Sequence, residues 1–208
     1  LDKSHRSSAS VIIESFPASG VIINTSTPNL SLLPANSEMA LAERLLPGRQ
    51  GYELPLKRAL EPLSSTCDFI IMDCPPFLGA VTLNALTAAD LLLVPTQAEF
   101  FSIYALRNLM NLVRRIRTQY NPRLTYRLLL TMFDRRNRIH RTMAEQLRAS
   151  FTSGVMQTTI DTDTKLRESP IAGVPIIQHA PKSRSAQQYR ALAQEIIEYV
   201  KETTIQPA

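Results

Sequence analysis

The chain has 208 residues, 44% of them hydrophobic and 20% charged, with a net charge of +5. That length suits one large α/β domain or two small ones, with a core that needs no disulfide or metal to hold it. The composition excludes general disorder, collagen and coiled coil, and no apolar run reaches the ~18 residues a membrane span needs.

Residues 3–28 are the least regular stretch. Ser7 to Ser10 and Thr25 to Pro28 are poor helix formers, and Val11-Ile12-Ile13 suits either helix or strand. Asn29 to Pro34 predicts a strand that stops at proline. Ser37 to Leu46 predicts a helix with Ser37 as N-cap, and Leu56 to Leu63 a second short one. Asp68 to Asp73 (DFIIMD) is a continuous apolar run, predicted as a strand buried on both faces of a parallel sheet. Thr82 to Ala89 predicts a helix and Leu91 to Pro95 the next buried strand. Ser102 to Gln119 predicts a long amphipathic helix. Ile103, Leu106, Leu109, Met110, Val113 and Ile116 form its apolar face, with Arg107, Arg114, Arg115 and Arg117 opposite. A strand from Leu124 to Phe133, a helix from Ile139 to Phe151 and a strand from Val155 to Ile160 follow. After a loop at Pro170 to Pro175, Ser185 to Val200 predicts the closing helix, with Tyr189, Leu192, Ile196 and Val200 inward. Strands alternating with helices predict an α/β fold, a mostly parallel sheet with helices on both faces. Such sheets take ligands at the carboxyl ends of their strands.

Charge is unevenly distributed. Residues 1–99 carry 6 Lys/Arg against 10 Asp/Glu, and residues 100–208 carry 17 against 8. A basic half beside an acidic one fits a polyanion partner, or simply solvated helix faces rich in arginine. The basic clusters are Arg135, Arg136, Arg138 and Arg141, then Lys165 with Arg167, then Lys182 with Arg184 and Arg190. No aromatic residues interleave them, which favours sequence-blind duplex binding over single-strand stacking.

Asp73 closes the apolar run Phe69-Ile70-Ile71-Met72. A carboxylate at such a strand end holds magnesium through water, the Walker B role of P-loop NTPases, or merely caps a turn. Pro75 and Pro76 then stiffen the exit, and Gly79 is expected to let the chain turn into the next helix. The matching phosphate cradle, G-x-x-x-x-G-K-[ST], does not occur, nor does G-x-G-x-x-G, and glycine is scarce at 6 residues. His5, His140 and His179 read as surface residues, and Asp161 and Asp163 as a turn rather than the metal pair their spacing also allows. Cys67 and Cys74 read as small near-core residues; two cysteines fit neither a disulfide scaffold nor a four-ligand zinc site, and suit a reducing cytoplasm. The first ten residues have no apolar stretch of the signal-peptide kind.

Seen together, LLPAN at Leu32 to Asn36, YELPLKRALEPL from Tyr52, CDFIIMDCPPFLG from Cys67 and TLNALTAAD from Thr82 form an ordered set. LLTMFD from Leu129, LRESPIAGVP from Leu166 and PKSRSAQQY from Pro181 complete it. In this order they resemble the ParA/Soj-type partition ATPases, a deviant-Walker branch of the P-loop NTPases. The core of the match is 29–200, with 1–28 matching poorly, so the resemblance implies a single ATPase domain over 1–208. It implies a protein that binds ATP and Mg, forms a homodimer, and binds nucleoid DNA without sequence preference. A ParB-type partner would stimulate hydrolysis, in a cytoplasmic, nucleoid-associated setting with no membrane contact. Asp73 falls on the Walker B position, Pro75, Pro76 and Gly79 on switch II, and Met132 and Pro181 where the family packs adenine. Lys165, Arg167, Lys182, Arg184 and Arg190 fall in the region used for DNA. The family's N-terminal portion, with its first strand and both phosphate-loop lysines, is expected to be missing before Leu1, so this chain alone is not expected to hydrolyse ATP. Thr162 stands where the family has an arginine, and Asp161 and Asp163 are expected to weaken the local positive field. Two alternatives stay open: a non-catalytic DNA- or partner-binding module acting on an intact paralogue, and another deviant-Walker protein of the MinD or cobyrinate diamide synthase kind.

Overall fold

Three apolar runs from Leu91 onward pair side by side, in a computed structural model that describes residues 6–205. Strands β3 (Leu91–Gln97), β4 (Thr125–Phe133) and β5 (Val155–Asp161) form a parallel sheet in the order β3-β4-β5. Helix α5 (Phe100–Gln119) links β3 to β4, and α6 (Arg138–Phe151) links β4 to β5. Alternate residues of β4 face opposite ways, as strand geometry dictates. Leu128 and Leu130 pack with Leu106 of α5 and Ala144 and Leu147 of α6. Leu129 packs on the other face with Met156, Ile160 and Leu192. Leu192 belongs to α9 (Arg184–Ile205), which follows the short helices α7 (Thr164–Ile171) and α8 (Ile176–His179). Both faces are therefore covered, as a parallel sheet requires.

The first half builds a separate helical unit. Helices α1 (Ser8–Glu14), α2 (Met39–Leu45), α3 (Pro55–Leu60) and α4 (Ala80–Ala88) pack around Ile12, Ala42, Leu46, Leu56 and Ala85. A two-residue antiparallel pair, β1 (Ile23–Asn24) with β2 (Ser31–Leu32), lies between α1 and α2 in sequence. The chain thus divides into two compact units. One comprises residues up to Asp90 with Leu112–Leu124, the other Leu91–Asn111 with Thr125 onward.

Several expectations change at this level. The poor helix formers Ser7 to Ser10 do start a helix. Ser7 accepts a hydrogen bond from the Ala9 amide at 3.2 Å, the Ser10 hydroxyl caps the Ser7 amide in return, and α1 buries Val11 and Ile12. Burial and a capping box outweigh propensity. Helix α2 begins at Met39 rather than at a Ser37 cap, because the Asn36 side chain accepts from the Glu38 amide at 3.1 Å. The loop expected at Pro170 to Pro175 starts two residues later, since α7 runs to Ile171. Tyr189, read as inward, is 40% exposed.

The largest correction concerns Asp68 to Asp73, which forms no strand. Ile71 is 92% exposed and Phe69 50%, and only Met72 packs against the helical core. A parallel strand owes its hydrogen bonds and its cover to neighbours distant in sequence. Among the described residues none pairs with this segment.

Candidate functional site

Asp73 leads into the Pro75-Pro76 turn and then into α4. Its carboxylate is exposed and makes no hydrogen bond or ion pair among the described residues. Pro75 is half-buried and Pro76 exposed. The entry to α4 is fixed from two sides. Thr82 Oγ1 donates to the Phe77 carbonyl at 2.8 Å. Glu43, from α2, accepts from the Ala80 amide at 2.6 Å and the Val81 amide at 3.0 Å. A carboxylate there satisfies two orphan amides and complements the helix dipole. Gly79 serves this arrangement through space rather than turning. Its φ of −98° is open to any residue, but a Cβ would run into the Glu43 carboxylate and come within 2.6 Å of the Phe77 ring. Cys67 and Cys74, read as near-core, are both exposed.

Of the other predicted residues, Met132 lies near the carboxyl end of β4. Met132 has φ 51°, is 48% exposed, and accepts at its sulfur from Gln97 Nε2 at 3.1 Å. A non-glycine residue in the left-handed region is uncommon, and such residues cluster at functional sites. Here the conformation accompanies a register shift between β4 and β5 from Leu130 to Phe133. Pro181 is exposed, and its carbonyl accepts from Arg190 Nη1 at 2.7 Å.

Several cations predicted as free are already engaged. Lys165 pairs with Glu168 at 2.8 Å, which raises the lysine and lowers the glutamate from their ordinary values. His179, read as a surface residue, is half-buried and lies 3.5 Å from the same carboxylate. Arg184 Nη2 donates to the Thr162 carbonyl at 2.6 Å. Arg167 and Lys182 are exposed, with side chains unpartnered among the described residues. Arg136 clasps Asp134 through two side-chain contacts of 3.1 Å, while His140, half-buried rather than on the surface, accepts from the Asp134 amide. His5 lies outside the described residues.

The Arg136 hydrogen bonds hold the Asp134 carboxyl at about 2, below the ordinary 3.8. A depressed carboxylate favours the fold in its charged form. The contribution is present above pH 3.8 and is lost as the pH falls through about 2. In Arg136→Ala, the Asp134 carbon resonance should titrate higher than about 2 but still below 3.8, because the backbone amide at 136 continues to donate to Oδ1. An unchanged midpoint would show that Arg136 is not the cause.

The two acids expected to spoil the positive field point inward. Asp163 caps α7 by accepting from the Lys165 amide at 2.9 Å, and also accepts from the Ser185 hydroxyl at 2.9 Å and the Ser185 amide at 3.2 Å. Burial would raise its carboxyl, but these bonds outweigh burial and hold it below its ordinary value. Asp161 is 2% exposed at the end of β5, where Arg135 Nε donates to its Oδ2 at 2.8 Å. Sequence reasoning missed the supporting roles of Glu43, Arg135 and Asp161.

A family model described as an AAA domain matches residues 2–126. One described as 4Fe-4S iron sulfur cluster binding proteins of the NifH/frxC family matches 67–208. The chain is 37% identical to the sporulation initiation inhibitor protein Soj of Bacillus subtilis (strain 168) over 187 residues, covering 89% of this chain and 74% of Soj. The chain belongs to the ParA/Soj family of partition ATPases. It is 34% identical over 190 residues to the chromosome partitioning protein ParA of Caulobacter vibrioides (strain NA1000 / CB15N), covering 90% of this chain and 71% of that one. Its fold matches the crystal structure of cobyrinic acid a,c-diamide synthase from Mycobacterium smegmatis with bound ATP analog and magnesium, with a TM-score of 0.81, 30% identity, and coverage of 96% of this chain and 75% of that one.

The donor set of this ParA/Soj-family chain fits a nucleotide site only in part. An exposed carboxylate such as Asp73 suits a magnesium ion that keeps its waters. A phosphate cradle of glycine-loop amides with a lysine is not encoded in the 208 residues. Among the described residues, no helix is long and apolar enough to cross a membrane.

Proposed function

We propose that the 208 residues belong to a single ATPase domain of a partition protein and make up its C-terminal three-quarters. In its full cycle that protein binds Mg-ATP, dimerises, binds duplex DNA without sequence preference and is released by a ParB-type partner, in the cytoplasm on the nucleoid. The observation that carries this reading is 37% identity to Soj across 89% of the chain. Asp73 would hold magnesium through water, Pro75, Pro76 and Gly79 would form the switch, and Met132 and Pro181 would flank the base. Lys182, Arg184 and Arg167, with Lys165 and Arg190, would supply the DNA-facing charge. ATP turnover needs a phosphate loop that these residues do not encode, so this stretch by itself binds DNA and not nucleotide. A second reading is a non-catalytic module that joins the dimer of an intact paralogue.

Titration of the 208-residue chain with a fluorescent ATP analogue and magnesium, and separately with random-sequence duplex, tests the proposal. The expected result is DNA binding that weakens steeply with salt, and no magnesium-dependent nucleotide binding. Tight nucleotide binding abolished by Asp73→Ala would overturn the inactive assignment, and no duplex binding at low salt would overturn the DNA assignment. Adding an intact paralogue separates the two readings: inhibition of its ATPase supports the module, and indifference removes it.

A further inference from the structure

Asp161 is the most constrained charged group in the sheet-bearing unit. It ends β5 at 2% exposure, and two arginines from different elements approach one of its oxygens. Arg135, from the loop after β4, places Nε 2.8 Å from Oδ2, and Arg184, the first residue of α9, places Nε 3.7 Å from the same atom. The Asp161 amide donates to Gln188 Oε1 at 3.1 Å, so the backbone behind the carboxylate is also tied to α9. The other carboxylate oxygen, Oδ1, is buried without a hydrogen-bond partner. A buried carboxylate oxygen without a donor is costly and calls for an explanation.

The arginine geometry is built on the other oxygen, Oδ2. Both guanidiniums turn Nε toward Asp161, and their side chains remain 65% and 57% exposed. The terminal nitrogens of Arg135 are unpartnered among the described residues, and Arg184 spends only Nη2, on the Thr162 carbonyl. Two guanidiniums so close repel each other unless an anion stands between them. Asp161 cancels one positive charge from behind and leaves the trio with a net +1 on its outer side. Arg184 stands at ion-pair but not hydrogen-bond range of Asp161 Oδ2, so Arg135 holds that oxygen by the one short contact. The non-bridging oxygens of a phosphodiester match a guanidinium fork in geometry and charge.

We infer that Arg135 and Arg184 take one DNA phosphate between them and that Asp161 is the positioning residue that aligns both. This rests on the DNA reading above and deepens it, because it gives Asp161 the opposite sign from simple repulsion. A surface acid near a DNA-binding face weakens binding; a buried one that orients two arginines strengthens it.

The test is fluorescence anisotropy of a random-sequence duplex, with affinity followed against salt for the unaltered chain, Asp161→Asn, Arg135→Ala and Arg135→Lys. Asp161→Asn should bind about tenfold more weakly although it carries one more positive charge, because charge-assisted contacts lose their alignment. Arg135→Ala should reduce the salt slope by about 1, the loss of one phosphate contact. Arg135→Lys keeps the charge but loses the fork and Nε, and should weaken binding nearly as much as alanine. A misfolded Asp161→Asn, detected by circular dichroism, leaves the decision to the two Arg135 variants, whose site is exposed. Tighter binding by folded Asp161→Asn, or an unchanged slope in Arg135→Ala, overturns the inference and leaves the DNA reading standing. No binding by the unaltered chain overturns both.

Discussion

Asn84→Ala should destabilise the helical unit by about 2–4 kcal/mol, one of the largest single effects available in this chain. Asn84 is fully buried in α4, whose other buried residues are mostly apolar. Its Nδ2 donates to the Tyr52 carbonyl at 2.6 Å and the Ala80 carbonyl at 3.0 Å, and its Oδ1 accepts from the Leu56 amide at 3.3 Å. Leu56 is the second residue of α3, so its amide is one of the orphan donors that every helix start must satisfy. Alanine would strand that amide and the Tyr52 carbonyl, at about 1–3 kcal/mol each for a buried group, less what water recovers. Asn84→Asp keeps the acceptor but turns the donor into a second acceptor facing two carbonyls, and should be at least as damaging. Urea unfolding followed by far-ultraviolet circular dichroism measures both. A loss under about 0.5 kcal/mol, the range of ordinary surface changes, would mean that the network carries no stability.

Leu130→Ala should cost about 2–5 kcal/mol in the sheet-bearing unit. Leu130 is fully buried at the centre of β4 and packs in the cluster with Leu128, Phe133, Leu147 and Val155. Removing its branch deletes buried area and leaves a cavity that flanking strands and helices cannot collapse into. The informative comparison is Ile71→Ala. Both residues sit in apolar runs that read alike in sequence, yet Ile71 is 92% exposed. Its replacement should change stability by less than about 0.5 kcal/mol. Equal losses at the two sites would mean that Ile71 is buried in solution and that residues 68–73 have found a strand partner there.

That contrast shows how legible the fold was. The runs at Leu91, Leu124 and Val155 became β3, β4 and β5 within a residue or two, and the helices between them followed their apolar spacing. DFIIMD had the same local signature and failed, because a strand is completed by partners that its own residues do not encode. The switch residues were legible in type, but the reason for Gly79 was not. It is space against Glu43 and Phe77, set by a helix more than thirty residues earlier. Asn84 was visible as a polar residue in an apolar helix, without any hint of Tyr52 or Leu56 as partners.

The sequence by itself determined the α/β class, the helix faces, the family and the basic second half, because these follow from periodicity, motif order and composition, which are local or additive. Tertiary structure alone decided which charges are free. Arg136, Lys165 and Arg190 are engaged by neighbours, while Asp161 and Asp163, counted as acids against a polyanion, are turned inward as supports. Ion pairs and buried carboxylates form between residues brought together by folding, and Asp161 meets Arg135 and Arg184 only where β4, β5 and α9 come to one end of the sheet.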